Sequence, residues 1–253
     1  MSKSIYLADL VYNTIKTNYV TPLNIGYVAS FLKEKFGQEV DIKLFKYPDI
    51  LEKALIKSPP DILALSHYSW NARLDLLFLD LAKRLNPKTL TVMGGPNIRT
   101  APDDIKKFLT NHPNLDYYLI NEGEEPFSRL VGEILGGCDK PHPLGSATII
   151  DEEFFYVEEP LDKKSMEINQ PSPYLTGWLD QFLADPNMIP LLETNRGCPY
   201  RCVYCAWGAM LPRIRVRPLE QVLEEIDYVA EKSAGQLTWI FCDSNFGILP
   251  RDV

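Results

Sequence analysis

No apolar run in this chain approaches the roughly 20 residues a helix needs to span a bilayer. The N-terminus, MSKSIYLADLVYN, has no cationic region leading into a long apolar stretch, so no signal peptide is expected and the cytoplasm is the expected location. Positive charge is also scarce. The 26 Lys and Arg stand against 34 Asp and Glu, and the net charge of −8 argues against a protein that mainly grips a nucleic-acid backbone. No internal repeat or low-complexity tract is present. No GxGxxG turn follows the first strand, so a dinucleotide fingerprint is missing, as is the phosphorylation-site pattern of a response regulator. The five cysteines are an odd number, which fits a disulfide framework poorly, and three of them lie within eight residues. Thiolate metal ligands in a reducing compartment are the better reading.

What is present is ordinary globular material: 253 residues, 45% apolar and 24% charged, ample for a buried core. Ser4–Asp9, Val40–Phe45, Asp61–Ser66, Leu90–Met93 and Asp116–Ile120 read as strands. Asp61–Ser66 is a continuous apolar run, as in a strand buried on both faces. Helical spacing follows Pro22 and recurs near Asp49–Lys57, Asn71–Leu85, Pro102–Thr110 and Glu125–Leu135. The fold class is therefore α/β: a doubly wound, Rossmann-like, five-stranded parallel sheet over residues 1–140, with Gly136–Gly137 near its end. Ligands bind such sheets at the carboxyl ends of the strands, here Asp9–Asn13, Ser66–Asn71, Gly94–Asn97 and Asn121–Glu125. Residues 141–188 read as a hairpin (Ala147–Val157) and a proline-rich connecting segment. From residue 189 a second unit reads strand (Pro190–Thr194), loop, helix opened by Pro218 with Leu219, Val222, Leu223, Ile226, Val229 and Ala230 on one face, and buried strand (Leu237–Cys242).

The loop is Arg196-Gly197-Cys198-Pro199-Tyr200-Arg201-Cys202-Val203-Tyr204-Cys205. Spacings of three and two intervening residues let one short loop wrap its thiolates around a single iron–sulfur cluster. Three ligands leave one iron of a 4Fe–4S cube open to an external molecule. A structural zinc site takes four closed ligands, commonly in two pairs, and here no second pair exists and His67, His112 and His142 are far upstream. Clustered core cysteines remain the bland alternative. Cys242 reads as a small buried residue. Arg213, Arg215 and Arg217 alternate like a strand face, either a solvated basic stripe or an anion contact.

The loop, with Tyr204 before its last cysteine, closely resembles the CxxxCxxC loop of the radical S-adenosylmethionine superfamily. The resemblance implies that Cys198, Cys202 and Cys205 hold a 4Fe–4S cluster whose fourth iron takes S-adenosylmethionine, giving a 5′-deoxyadenosyl radical that abstracts hydrogen from a substrate. It also implies that Tyr204 lies against the adenine and that Asp243 and Asn245, in Phe241–Phe246, face S-adenosylmethionine. A simple turn after the strand is the alternative for Asp243 and Asn245. On this resemblance residues 189–253 are the first strands and helix of a partial (β/α) barrel.

The pairing of this loop with the N-terminal domain resembles the cobalamin-binding subfamily of that superfamily. The matching segments are Pro60–Ile62 through Ser66–Asn71, the Val92–Pro96 turn, Asn121–Pro126 and the bridge Pro171–Leu175. The resemblance implies that cobalamin is held by Ser66, Gly94, Gly95, Glu122 and Gly123, where bare glycine backbone permits close approach of a large flat ligand. Ser66 could equally cap the next turn. One departure matters: where many cobalamin domains carry DxHxxG, this chain reads Asp9-Leu10-Val11-Tyr12-Asn13, so no histidine from that loop would ligate cobalt. His67 is then either a cobalt neighbour or hydrogen-bonded structure, and Trp70 is expected to pack.

Three functional readings follow. The first is a cobalamin-dependent radical enzyme methylating an unactivated carbon of a small molecule, served by an electron donor such as a flavodoxin or ferredoxin, with no membrane or nucleic-acid partner. The second keeps the radical chemistry but gives the N-terminal domain no cobalamin. The third is a cofactor-binding fragment without turnover, because the chain ends 48 residues after Cys205 while further strand–helix units of about 30 residues each would complete a barrel. Catalytic residues beyond the ligands are not assigned by the sequence.

Overall fold

The computed structural model describes residues 2–14, 19–159, 165–200, 202–205 and 213–252. Arg201 lies outside them. In chain order the elements begin with β1 (Lys3–Ala8), β2 (Tyr19–Val20), α1 (Leu23–Phe36), β3 (Val40–Phe45), α2 (Pro48–Lys57), β4 (Ile62–Ser66) and α3 (Ala72–Leu85). They continue with β5 (Leu90–Gly94), α4 (Pro102–Asn111), β6 (Tyr117–Leu119), α5 (Glu124–Leu135), β7 (Ser146–Ile150), β8 (Glu153–Tyr156) and α6 (Asp180–Leu183). The last are β9 (Met188–Ile189), β10 (Leu191–Leu192), β11 (Asn195–Arg196), β12 (Arg215–Val216), α7 (Leu219–Lys232) and β13 (Ile240–Phe241). These elements form two compact units: Met1–Thr17 with Phe31–Glu159, and Asn18–Ser30 with Pro160–Val253.

In the first unit seven strands are ordered β3-β1-β4-β5-β6-β7-β8. The first five are parallel, and β7 and β8 add an antiparallel edge. Five parallel strands were expected; the hairpin extends the same sheet because Tyr117–Leu119 pairs with Ser146–Thr148. The hairpin turns at Asp151 and Glu152, both with positive φ (51° and 68°), the backbone a two-residue turn needs to match strand twist. Strand order reverses between β1 and β4, and that reversal is the crevice-forming point of an open α/β sheet.

Alternation decides which face each residue buries. Tyr6, Ala8, Leu63, Leu65, Met93 and Tyr118 share one core with Leu51 and Leu55 of α2, Phe78, Leu79 and Ala82 of α3, and Ile105 and Leu109 of α4. Each fully buried leucine there contributes about 1.5–3 kcal/mol relative to an exposed one. On the other face the C-terminal part of α1 meets α5, where a Cβ on Gly132 would lie 3.4 Å from the Phe36 ring. The first turns of α2 and α4 carry Pro48 and Pro102, whose fixed φ suits the first helical position.

In the second unit β10 and β13 pair in parallel around α7, and β2 pairs with β9. Two expectations are corrected here. Leu237–Cys242 is not a buried strand: only Ile240–Phe241 pairs, Leu237 is fully exposed and Cys242 is exposed. Among the described residues β13 has β10 as its one partner, so its far side is uncovered. The buried face of α7 is Val222, Glu225 and Val229, while Leu219 and Leu223 are exposed. Among the described residues no helix is long and apolar enough to cross a membrane.

Candidate cofactor sites

At the carboxyl edge of the first sheet, β1 and β3 deliver Asp9 and Lys46 into a buried pair, Nζ to Oδ2 at 2.7 Å, with side chains 8% and 2% exposed. Ser66, at the end of β4, donates to the other Asp9 oxygen at 3.0 Å. Its hydroxyl is thus turned into this network at the strand-order reversal. Asn71 is fully buried; its Nδ2 donates to the Leu10 and Ser66 carbonyls at 3.3 and 2.9 Å, and its Oδ1 accepts from the Tyr68 amide at 2.8 Å. That one side chain ties the loop after β1 to the loop after β4.

His67 follows Ser66 and is 1% exposed. Its Nδ1 lies 3.4 Å from Asp75 Oδ2, and its Nε2 accepts from Asn97 Nδ2 at 3.1 Å. Both ring nitrogens are therefore engaged by protein. Burial first, then the neighbouring His112, lowers the His67 pKa to about 4. Burial first, then the Asp9 charge, raises that of Asp75 to about 9. The 3.4 Å contact is long for a charged pair, and both groups are neutral near pH 7. Among the described residues Asp75 Oδ1 has no hydrogen-bond partner.

A pH dependence follows. Between the ordinary aspartate value of 3.8 and about 9, the unfolded chain releases the Asp75 proton and the folded chain keeps it, so stability falls as pH rises. His67 works oppositely between about 4 and 6.5, where the unfolded chain binds the extra proton. Above pH 6.5 the Asp75 effect stands alone. Asp75→Asn is expected to gain on the native chain by on the order of 1 kcal/mol per pH unit from there toward pH 9. Urea unfolding of both chains across that range measures it. A variant less stable throughout would mean that Asp75 is ionised in an ion pair.

Gly94 and Gly95 end β5. Gly95 has φ +133°, and a Cβ there would lie 2.6 Å from the His67 carbonyl oxygen. Tyr118 Oη donates to the Gly95 carbonyl at 2.8 Å. Glu122 and Gly123 sit half-buried in the turn before α5, which Asn121 enters with φ 67°. Ser66, Gly94, Gly95, Glu122 and Gly123 thus lie on loops at the carboxyl ends of three neighbouring strands. Trp70, expected to pack, is instead 60% exposed and stacks on Tyr68 with centroids 4.4 Å apart at 8°.

In the second unit the cysteine loop is closed at its ends by antiparallel pairing of Asn195–Arg196 with Arg215–Val216. The chain enters it through Gly197 at φ 94°. Cys198 is half-buried and its Sγ accepts from Asn245 Nδ2 at 3.1 Å; Cys202 and Cys205 are exposed. Tyr204 is 88% exposed. Among the described residues no three Cys, His, Asp or Glu side chains are close enough to hold a metal ion, so the geometry does not gather the three thiols. Asp243 is spent on the strand entering the loop. It accepts from the Thr194 and Asn195 amides at 2.7 and 3.2 Å, from Thr194 Oγ1 at 2.5 Å and from Asn195 Nδ2 at 3.1 Å. Asn245 is the member of that pair bonded to Cys198.

The arginine run is not a solvated stripe. Arg213 is exposed, but Arg215 and Arg217 are 8% and 0% exposed. Arg217 stacks on Tyr27 at 3.9 Å and shares Glu193 Oε2 with Arg196, at 2.7 and 2.8 Å. A desolvated guanidinium on an aromatic face contributes about 2 kcal/mol. Sequence reasoning missed this cluster, as it missed Lys46, Asp75 and Asn97. The available signal for Lys46 was its position, the residue after an alternating strand and level with the acid that follows β1.

Comparison with known proteins bears on both sites. The B12 binding domain family matches residues 11–131. The chain is 35% identical over 242 residues to 2-(S-pantetheinyl)-carbapenam-3-carboxylate methyltransferase of Streptantibioticus cattleyicolor. It is 34% identical over 242 residues to the cobalamin-dependent radical SAM methyltransferase TokK of Streptomyces tokunonensis. Residues 11–131 form a B12 binding domain. The chain as a whole is similar to part of methyltransferases that include a cobalamin-dependent radical S-adenosylmethionine (SAM) enzyme. Each alignment covers 92% of the chain but only 35% of the relative, so the chain spans about a third of these proteins. Among solved structures, the cobalamin-dependent S-adenosylmethionine radical enzyme OxsB superposes with a TM-score of 0.73 at 23% identity, over 99% of this chain and 35% of that one. The radical S-adenosylmethionine methyltransferase TsrM of Kitasatospora setae gives 0.72 at 17% identity, over 99% and 49%. These two likenesses establish the shared fold.

Cobalamin suits the first edge. Glycine backbone at Gly94 and Gly95 and the exposed stack of Trp70 on Tyr68 offer the close approach and apolar contact a flat macrocycle requires. For a 4Fe–4S cluster the donor chemistry of Cys198, Cys202 and Cys205 is suitable, but their present arrangement is not a formed cage.

Proposed function

We propose that this chain is the cofactor-binding portion of a cobalamin-dependent radical SAM methyltransferase acting on a carbon of a small molecule. The observation that carries the proposal is the first unit's carboxyl edge: the strand-order reversal between β1 and β4, with Gly94 and Gly95 at the end of the next strand, within the segment that matches B12 binding domains. In this reading Gly94, Gly95, Glu122 and Gly123 hold cobalamin, Ser66 braces the crevice, and Tyr68 with Trp70 presents an apolar face. Cys198, Cys202 and Cys205 hold the cluster, Tyr204 and Asn245 contact S-adenosylmethionine, and Asp243 fixes the strand that leads into the loop. When bound, the cluster supplies an electron to the sulfonium and cobalamin supplies a methyl group. The chain's own residues bind, orient and shield. An electron donor of the flavodoxin or ferredoxin class supplies the reducing equivalent, and a reducing cytoplasm suits three thiolate ligands.

Visible absorption of anaerobically purified protein titrated with hydroxocobalamin tests the first site. Saturable uptake with a spectral shift supports it, and no uptake removes the cobalamin reading. Electron paramagnetic resonance of iron-reconstituted, dithionite-reduced protein tests the second. A 4Fe–4S signal that changes on adding S-adenosylmethionine is expected in the native chain. In a Cys198→Ala, Cys202→Ala, Cys205→Ala variant it should be absent. Iron held equally well by that variant would remove the radical reading.

A further inference from the structure

The loops after β4 and β5 are joined more tightly than strand pairing requires. The His67 amide donates to the Gly94 carbonyl at 2.7 Å, and the Asn97 amide returns to the His67 carbonyl at 3.3 Å. Asn97 Nδ2 then donates to His67 Nε2 at 3.1 Å. A neutral imidazole that accepts at Nε2 carries its proton on Nδ1, and Nδ1 faces Asp75 Oδ2 on α3. A chain of contacts thus runs from α3 through a buried ring to the half-buried Asn97, which stands on the loop of Gly94 and Gly95. The ring itself is held edge-on to Tyr118 at 6.1 Å, and Tyr118 anchors the Gly95 carbonyl.

We propose that His67 and Asn97 form a positioning clamp that presets the Gly94–Asn97 loop for the cofactor, His67 serving as a bridge within the protein and not as a ligand to the metal. This inference rests on the cobalamin reading above. The ring is 1% exposed and both nitrogens face protein partners, so ligation would require breaking Asn97's bond and carrying the ring out of its packing. Asn97 is three residues from Gly94, and a loop already held in its bound conformation binds without the ordering cost a free loop incurs.

The test uses the whole chain and Asn97→Ala, a change at a half-buried position. Amide hydrogen exchange without ligand reads the clamp directly: the Gly94–Asn97 amides should exchange faster in the variant, while the midpoint of thermal unfolding stays nearly unchanged. Titration with hydroxocobalamin should then show binding weakened by about fivefold or more, the size of one lost hydrogen bond. Unaltered exchange, or unaltered affinity, would overturn the clamp. Loading the native chain with cob(II)inamide, which lacks the nucleotide base, asks about ligation. Nitrogen superhyperfine splitting in its paramagnetic resonance spectrum that disappears in His67→Ala would make His67 a ligand and also overturn the proposal. If the native chain takes up no corrinoid, the cobalamin reading fails and this inference falls with it, whereas faster exchange alone would still identify the clamp as a feature of the fold.

Discussion

Lys46→Met is expected to destabilise the first unit by about 3–5 kcal/mol, the cost of leaving a buried charge without its partner. Asp9 and Lys46 are 8% and 2% exposed and 2.7 Å apart. Methionine fills much of the volume of the lysine stem, so the loss comes from the stranded carboxylate and not from a cavity. Ser66 supplies one hydrogen bond to that carboxylate at 3.0 Å, too little to replace an ammonium. The double variant Asp9→Asn, Lys46→Met removes the charge together with its partner and should recover most of the loss, because replacing a whole buried pair is often neutral. Urea unfolding of the two singles and the double closes the cycle. Equal losses in single and double would show that packing at Lys46, not the pair, is what matters. The pair sits at the strand-order reversal, so the single variant should also bind cobalamin more weakly than the double does.

Much of the fold could be read in advance because its signals are local. Val40–Phe45 alternates and is observed as that strand, and the apolar Ile62–Ser66 sits between β1 and β5. Pro102 opens its helix as expected. What escaped was decided by contacts between distant residues. Nothing near Arg217 announces Tyr27, 190 positions earlier, yet the buried stack between them makes an alternating basic run an interior one. Asp243, which the resemblance turns toward S-adenosylmethionine, accepts from four donors on Thr194 and Asn195, about fifty positions earlier, which no local pattern announces. The face of α7 shifted for a similar reason. Glu225, polar and so left out of the apolar stripe, is buried beside the connecting segment, where Gln221 bridges to the Gln170 carbonyl. Cysteine spacing named donors but could not say how the loop holds them, since that depends on residues outside the loop such as Asn245.

Gly94 and Gly95, equivalent by sequence, should separate sharply. At Gly95 an added Cβ would meet the His67 backbone, 2.6 Å from its oxygen and 3.0 Å from its nitrogen, with φ at +133°. No flexible side chain is there to yield. Backbone strain of about 1–3 kcal/mol and steric displacement of about 1–3 kcal/mol together set the expected cost of Gly95→Ala at roughly 2–6 kcal/mol. At Gly94 the nearest atoms would be Leu119 Cβ at 3.5 Å and its carbonyl at 3.6 Å, ordinary contacts, and Gly94→Ala should cost about 1 kcal/mol or less. Urea unfolding distinguishes the two. The same pair of variants also separates folding from binding. If cobalamin lies against the bare backbone at the end of β5, Gly94→Ala should lose affinity while keeping most of its stability, since the added methyl group makes only ordinary contacts with Leu119 but thickens the backbone that the ligand approaches. A Gly94→Ala chain that binds as tightly as the native one would move the cofactor away from this turn, and Gly95 would then be a glycine required only by the fold.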